Sequence, residues 1–170
     1  MGKNKRFVNE YEYKSDFVKE AITAWWNTKF KKSLITMCIL MIILIVIFLI
    51  TMKIKWLLIS SICLLPIILL SLKKKIAIKT ELERMDVVYK GDPLFIKVVF
   101  DSNIRLSTSQ GERSVELNAI ESFVETKNLI VLMIKGSMTI AFSKSGFTEG
   151  TCEEFLQKIK QFVKKHNKFY

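Results

Sequence analysis

The sequence predicts a membrane-anchored α+β protein, in which a hairpin of two apolar helices precedes an antiparallel β domain that ends in one amphipathic helix. Residues 33–72 are almost continuously apolar, residues 94–143 alternate short strand-like runs with polar turns, and residues 151–163 repeat apolar residues at helical spacing. We divide the chain into an N-terminal strand and lead-in helix (1–32), a two-span transmembrane hairpin (33–72), a basic linker helix (73–90) and a cytoplasmic domain (91–170).

The hairpin is predicted from two uncharged runs. Ser33 to Met52 contains 20 residues and Trp56 to Leu72 contains 17 more, whereas a bilayer core needs roughly 20 apolar residues. The three residues between the runs leave room only for a tight turn, so the helices must be antiparallel and both flanks must lie on one side. The alternative is a pair of soluble core helices, which the remaining residues, about 130 in number, are too few to wrap. A cleaved signal peptide is not expected, because a second apolar run follows the first.

The distribution of positive charge predicts which side the flanks occupy. Residues 1–32 contain eight Lys or Arg residues, and four lysines follow the second run within residues 73–79, against only Lys53 and Lys55 in the turn. Cationic residues next to a span are retained in the cytoplasm. We therefore expect a multi-pass protein of the bacterial cell membrane with both termini in the cytoplasm.

Aromatic and cationic residues beside the spans are predicted to contact the membrane interface. Tryptophan suits the headgroup layer because its ring is apolar and its N–H stays hydrated. The alternative for the tryptophans before the first span is packing against the soluble domain, and the sequence favours neither. The predicted interface residues are Trp25, Trp26, Lys29, Lys31, Lys32, Trp56, Lys73, Lys74 and Lys75.

The formal net charge of +11 admits two classes of partner. Nucleic acid is one, but no DNA-reading motif or aromatic-basic groove accompanies the charge. Anionic lipid headgroups are the other, and they attract each juxtamembrane Lys or Arg by about 1 kcal/mol. We predict anionic lipids as partner and no nucleic acid.

The N-terminal segment predicts a strand followed by a helix. Arg6–Tyr13 alternates, with Phe7, Asn9 and Tyr11 among the residues of one face. A helical pattern begins at Ser15-Asp16 and should lead into the first span. Because the hairpin returns both flanks to one side, we expect this strand to pair with the sheet that forms after Leu94.

The remaining domain is predicted to be an antiparallel meander closed by a helix. Turn-forming residues separate the predicted strands. Thr151 and Glu154 form a capping box at the start of the last helix, and Phe155, Ile159 and Phe162 lie on its apolar face. The predicted strands are Leu94–Phe100, Ile104–Ser109, Arg113–Leu117, Ser122–Glu125, Leu129–Ile134 and Met138–Ser143.

With the N-terminal strand, this gives seven strands followed by one helix, which are the elements of a pleckstrin-homology-like (PH-like) antiparallel barrel capped by a C-terminal helix. The chain also resembles the YcxB-like membrane proteins of bacteria. The resemblance depends on the element order and on the stretches AIESFVETKN (119–128), LIVL (129–132), FSKSGF (142–147) and EEFL (153–156). The family often has an aromatic residue where this chain has Asn118 or Ala119. These motifs are structural, so the resemblance implies a fold more than a function.

No residue pattern predicts catalysis, a cofactor or a metal. His166 is the only histidine, and it lies where a cation suits the end of a lysine-rich helix. Cys38, Cys63 and Cys152 form no CxxC pair, so neither a disulfide framework nor a zinc site is expected. The sequence contains no Ser-His-Asp, HExxH or phosphate-loop pattern. We therefore expect a non-enzymatic protein.

Three functions are compatible with these features. The first is immunity or self-protection against a membrane-active bacteriocin or toxin, which the family resemblance implies and which would make a cationic peptide toxin the partner. The second is a membrane-tethered PH-like binding module that docks a protein or peptide, or another membrane protein, at the inner face. The third, a regulatory subunit of an enzyme, has the least support.

Overall fold

The structure is a computed structural model that describes residues 5–51, 53–89, 94–109, 111–136 and 138–166. It contains three α-helices, eight β-strands and one 3₁₀ turn in those ranges. The helices are α1 (Ser15–Thr51), α2 (Ile54–Tyr89) and α3 (Cys152–His166), and the 3₁₀ turn is Leu117–Ala119. The strands are β1 (Phe7–Glu12), β2 (Phe95–Phe100), β3 (Asn103–Thr108), β4 (Gly111–Glu116), β5 (Ile120–Glu125), β6 (Leu129–Ile134), β7 (Met138–Ser143) and β8 (Phe147–Glu149).

Two long helices form the hairpin, and each continues beyond its apolar run. α1 joins the predicted lead-in helix to the first apolar run without a break, and α2 joins the second run to the predicted linker helix. The helices contact one another, and the short link from Thr51 to Ile54 requires them to run antiparallel. At about 1.5 Å per residue each helix is more than 50 Å long, so only part of each can lie within a bilayer.

The first sheet unites residues from before and after the hairpin. Its strand order is β4-β3-β2-β1-β8. β1 pairs antiparallel with β2 over six residue pairs, from Phe7 opposite Phe100 to Glu12 opposite Phe95. This confirms the predicted pairing of the N-terminal strand. The hairpin is therefore an insertion between two adjacent strands of one sheet.

The second sheet has the order β5-β6-β7, and the two sheets do not close into a hydrogen-bonded barrel. The predicted seven-stranded closed barrel was wrong in this respect, and β8 was not predicted. The reason lies at β1, whose second edge is occupied by β8 and is therefore closed to β7. In place of backbone pairing between β1 and β7, the side chain of Asn9 connects the two strands. Its Nδ2 donates to the Ser143 carbonyl oxygen at 2.8 Å, and its Oδ1 accepts from the Ser143 N–H at 2.9 Å.

α3 covers the main core between the sheets, as predicted. The capping box forms: the Glu154 N–H donates to Thr151 Oγ1, and the Thr151 N–H donates to the Glu154 carboxylate. Phe155 and Ile159 are fully buried, whereas Phe162 is only partly buried. The Phe155 ring packs against Phe7, Phe100, Phe142 and Phe147.

A second apolar cluster joins the sheet of β5, β6 and β7 to the N-terminal part of α1. Ala21 and Ala24 of α1 pack against Leu129, Val131 and Met133 of β6, while the intervening residues of β6 face the main core. All six residues of β6 are buried. A strand covered on both faces has no need for polar alternation, which explains its uninterrupted apolar sequence.

The distal parts of the two helices are apolar and exposed. Large side chains from Ile35 to Ile50 on α1, and Leu64 to Leu72 on α2, are mostly open to the surroundings. In the described part of the chain, one helix, α1, is long and apolar enough to cross a membrane, and only 6% of its most apolar window is buried. α1 is therefore compatible with a membrane span rather than with a soluble core helix, which would be covered.

Candidate membrane-anchoring site

The predicted interface residues lie where the exposed apolar parts of the hairpin end. Ser33–Thr51 of α1 and Ile54–Leu72 of α2 each contain 19 residues, which corresponds to about 28 Å of helix. This length matches a hydrocarbon core of about 30 Å. Counted from the link at equal rise, Lys32 lies level with Lys73, so lysines bound both apolar segments at the same height.

This pair of lysine groups forms a collar, which we define as Lys29, Lys31, Lys32, Lys73, Lys74 and Lys75. All of its members are exposed except Lys74, which is partly buried. Nine of the 27 cationic residues and none of the 16 acidic residues lie between Ala21 and Thr80. The remaining sequence is close to neutral, with 18 cationic and 16 acidic residues. The net positive charge is thus concentrated around the hairpin, where a layer of anionic headgroups would meet it.

The two tryptophans before the first span pack towards the protein. Trp26 is only 8% exposed, and Trp25 packs on the cluster that joins α1 to β6. Their rings contact each other and Phe30, at centroid distances of 4.7–6.1 Å. For Trp25 this favours the alternative of packing against the soluble domain. Trp26 is buried beside Trp25 and Phe30 of the same helix, and contact of either ring with the headgroup layer remains a prediction.

Lys29 connects the aromatic group to the collar. Its Nζ lies 4.9 Å from the centroid of the Trp25 ring, a cation–π distance. Trp56 lies in the first turns of α2, and its side chain lies outside the described residues, so its predicted interface role stays untested.

A polar clamp fixes the direction of α1 relative to the β domain. The Glu20 carboxylate accepts hydrogen bonds from the backbone N–H of Asn128 at 2.7 Å and from its Nδ2 at 2.8 Å. Burial raises the pKa of Glu20, but the bonds donated at the β5–β6 turn outweigh it and hold the pKa below its ordinary value. Charge-assisted bonds of this kind are directional. Glu20 and Asn128 are 108 positions apart, and no local pattern in the sequence signals such a pair.

The described residues contain no group of three or more His, Cys, Asp or Glu side chains that could hold a metal ion. Cys152, at the start of α3, is partly buried, and this burial, with Glu153 beside it, raises the pKa of its thiol. A thiol with a raised pKa is a poor nucleophile near neutral pH.

Comparison with known proteins finds a family match within the β domain. Residues 99–159 match the family model described as YcxB-like protein. This match covers 61 of the 170 residues and confirms the resemblance predicted from the sequence. The matched segment runs from the end of β2 into α3 and excludes the hairpin and β1. No curated protein matches the chain, and no solved structure matches it.

Proposed function

We propose that this chain is a non-enzymatic, multi-pass membrane protein whose two long helices both cross the bilayer and hold a PH-like binding module at the cytoplasmic face. The observation that carries this proposal is the pairing of β1 with β2. These strands precede and follow the hairpin, and strands of one sheet must lie on the same side of a membrane. If α1 crosses the bilayer, α2 must cross back.

The lysine collar supports the cytoplasmic orientation. Collar lysines flank both apolar segments on the β-domain side, whereas only Lys53 and Lys55 lie near the link. Under the positive-inside rule the β domain belongs in the cytoplasm. Anionic headgroups of the inner leaflet are then the partner of the collar.

The layers of the module support the proposed PH-like architecture. Two antiparallel sheets are connected by the hydrogen bonds between Asn9 and Ser143, and one C-terminal helix covers the core that they enclose. Modules of such architecture place variable loops and edges around a rigid frame, which suits binding. The fold does not by itself determine what the module binds; a specific site on it must do so.

Site-directed cysteine labelling tests the topology. In a full-length chain with Cys38, Cys63 and Cys152 replaced by Ser, single cysteines are introduced as Lys53→Cys at the link and Ser102→Cys in the exposed β2–β3 turn. A membrane-impermeant maleimide applied to intact cells should label the link and not the turn, and lysis should then expose the turn. Labelling of the turn in intact cells would overturn the proposed orientation.

Immunity against a membrane-active peptide is the second proposal, and one feature favours it. The link between the helices is so short that a peptide arriving from outside meets little besides bilayer-embedded helix, and residues 21–80 contain nine lysines and no acidic residue. Such a hairpin could occupy the site at which a cationic peptide inserts, and the like charges would oppose that peptide's approach to the inner leaflet.

Killing assays test immunity directly. Cells sensitive to cationic membrane-active peptides are challenged with and without this chain, with a chain lacking residues 94–166 as the matched variant. Immunity predicts raised tolerance to at least one peptide, including a peptide encoded beside the gene. Unchanged sensitivity to the whole panel would remove immunity and leave the anchored binding module.

A further inference from the structure

One cavity lies at the end of the β domain that α3 does not cover. It has a volume of about 330 Å³ and lies between α2 and the inner face of the first sheet. Its apolar lining comes from three elements or their ends: Met85 of α2, Leu94 and Ile96 at the start of β2, and Leu106 of β3. A cavity with this lining accommodates an apolar group of a few carbon atoms.

Hydrogen-bond donors from separate elements converge on the same cavity. Tyr13 follows β1, Arg84 lies on α2 and Arg113 lies on β4, and all three line the cavity. Arg113 opposes Leu106 in the β3–β4 register, so both residues face the interior side of the sheet. An inward-facing arginine can also guard an edge strand against aggregation, but that explanation accounts for neither Tyr13 nor Arg84.

These donors have weak or no protein partners. Arg113 forms no ion pair within the described ranges, and Arg84 approaches the Glu81 carboxylate only at 3.9 Å with both side chains largely exposed. The Tyr13 hydroxyl has no hydrogen-bond partner among the described residues. It is also not a fully buried polar atom, so a ligand in the cavity can reach it. Burial, and then the nearby Glu81 carboxylate, raise the pKa of Tyr13 to about 12. The phenol therefore stays protonated near neutral pH and remains able to donate.

An open strand edge runs beside the cavity. β4 is an outer strand of its sheet, pairing only with β3, and five of its six residues are exposed. The unpaired backbone groups of such an edge can accept an additional extended chain, which is a common mode of peptide recognition. A peptide bound there would have its end next to the cavity.

The position of the cavity excludes bilayer lipid as the occupant. Glu81 and Met85 lie 9 and 13 residues beyond Leu72 on the continuous helix α2, which places them about 14 and 20 Å from the end of the apolar segment. The headgroup layer extends only about 5–8 Å beyond the hydrocarbon core, so an ordinary bilayer lipid does not reach this cavity. The occupant must come from the cytoplasmic side.

We propose that this cavity binds the C-terminus of an extended peptide whose last residue is apolar. The terminal carboxylate pairs with Arg84 and Arg113 and accepts from the Tyr13 hydroxyl, the last side chain contacts Leu94, Ile96 and Leu106, and the peptide backbone pairs with the edge of β4. Guanidinium groups match carboxylates with two parallel hydrogen bonds. Glu81 and Glu112, which also line the cavity, disfavour peptides with acidic residues near the end.

This inference names the ligand class of the proposed binding module, and it is tested separately from membrane topology. The full-length protein in nanodiscs is titrated with fluorescein-labelled hexapeptides that end in Leu, Phe or Val. Each peptide is made with a free carboxylate and, as its matched control, with a C-terminal amide. At least one free-acid peptide should bind more than 10-fold tighter than its amide.

Three substitutions connect that binding to the cavity. Arg113→Leu and Arg84→Leu should each weaken binding of the free acid by 10-fold or more while changing binding of the amide little, and Tyr13→Phe should weaken it by several-fold. Lys164→Leu, which removes an exposed cation on α3, is the charge-matched control and should have no effect. Thermal unfolding of each variant verifies that the β domain is folded.

Equal affinity for acid and amide peptides, or no binding of any peptide, would overturn the proposal. Binding of decanoate that Arg113→Leu abolishes, without peptide binding, would also overturn it and assign the cavity to a small fatty acid. None of these results depends on whether both helices cross the membrane, so failure here leaves the anchoring proposal standing.

Discussion

β6 and the distal half of α1 are both uninterrupted apolar sequences, yet the structure treats them in opposite ways. Every residue of β6 is buried, because α1 covers one face and the main core covers the other. In the distal half of α1, Ile39, Ile42 and Ile50 are each at least half exposed. Apolar composition alone therefore does not show what surrounds a segment; the packing of the rest of the protein against it does. The protein core surrounds β6, and we expect lipid to surround the distal half of α1.

The largest expected effect lies in the core that β6 helps to build. Phe155 is fully buried against four other phenylalanine rings, so Phe155→Ala should lower the free energy of unfolding of the β domain by about 3–5 kcal/mol. Chemical denaturation of the full-length protein in detergent measures this change. A near-neutral result would mean that α3 does not seal the core.

A matched pair of substitutions sharpens the comparison itself. Leu132→Ala in β6 should destabilise the β domain by about 2–5 kcal/mol, because it leaves a cavity in close-packed surroundings. Ile42→Ala in α1 should change the same unfolding free energy by less than about 0.5 kcal/mol. Ile42→Lys should instead cost about 2.5–3.5 kcal/mol of membrane insertion, measured as the fraction of chains inserted by a translocon assay. Normal insertion of the Ile42→Lys chain would argue against a span at this position.

The sequence predicted the elements that have local signals. Leu129–Ile134 and Met138–Ser143 have the predicted boundaries because tight polar turns bound them, and the capping box at Thr151 marks the start of α3. β8 was missed because three residues between Gly146 and Gly150 carry no usable periodicity. Gly150 has a φ of +79°, and an added Cβ there would clash with the Phe7 ring. Local sequence patterns do not reveal such a tertiary requirement.

The candidate sites were predicted unevenly for the same reason. The lysine collar consists of two short groups, each local in sequence, and was found, whereas the cavity donors Tyr13, Arg84 and Arg113 come from three elements that are far apart in the sequence. The packing of α1 on β6 was also missed. The six apolar residues of β6 signal cover on both faces, but they do not identify which element provides it.

The junction between the sheets should show a smaller effect than the core. Asn9 is fully buried and both of its polar atoms bond to Ser143. Asn9→Leu should destabilise the β domain by about 1–3 kcal/mol, because it leaves a buried N–H and carbonyl without partners. Asn118→Leu, at an exposed position of the 3₁₀ turn, is the control and should be close to neutral. Equal effects of the two substitutions in denaturation experiments would remove the bridging role of Asn9.

The smallest expected effect concerns the clamp that holds α1 on β6. The pKa of Glu20 is lowered in the folded protein by the hydrogen bonds from Asn128, despite the opposing effect of burial. A carboxyl whose folded pKa lies below its unfolded value contributes stability above the unfolded pKa, about 4.3, and loses that contribution as the pH falls through the folded value. Glu20→Gln should therefore lower stability at pH 7 and have progressively less effect as the pH drops below about 4. Because Glu20 is only partly buried and water screens its charge, the difference at pH 7 should be small. It is measured as the shift in unfolding midpoint between the two proteins across pH 3–7. Glu83→Gln is the matched control, because among the described residues its carboxylate forms an exposed pair with Lys79 on α2, and it should change the unfolding midpoint at pH 7 less than Glu20→Gln does. A Glu20→Gln effect that is constant with pH would mean that the carboxylate charge does not hold α1 against the β5–β6 turn. Apolar packing at Ala21 and Ala24 would then be what keeps the N-terminal half of α1 on the β domain, whereas its distal half stays exposed.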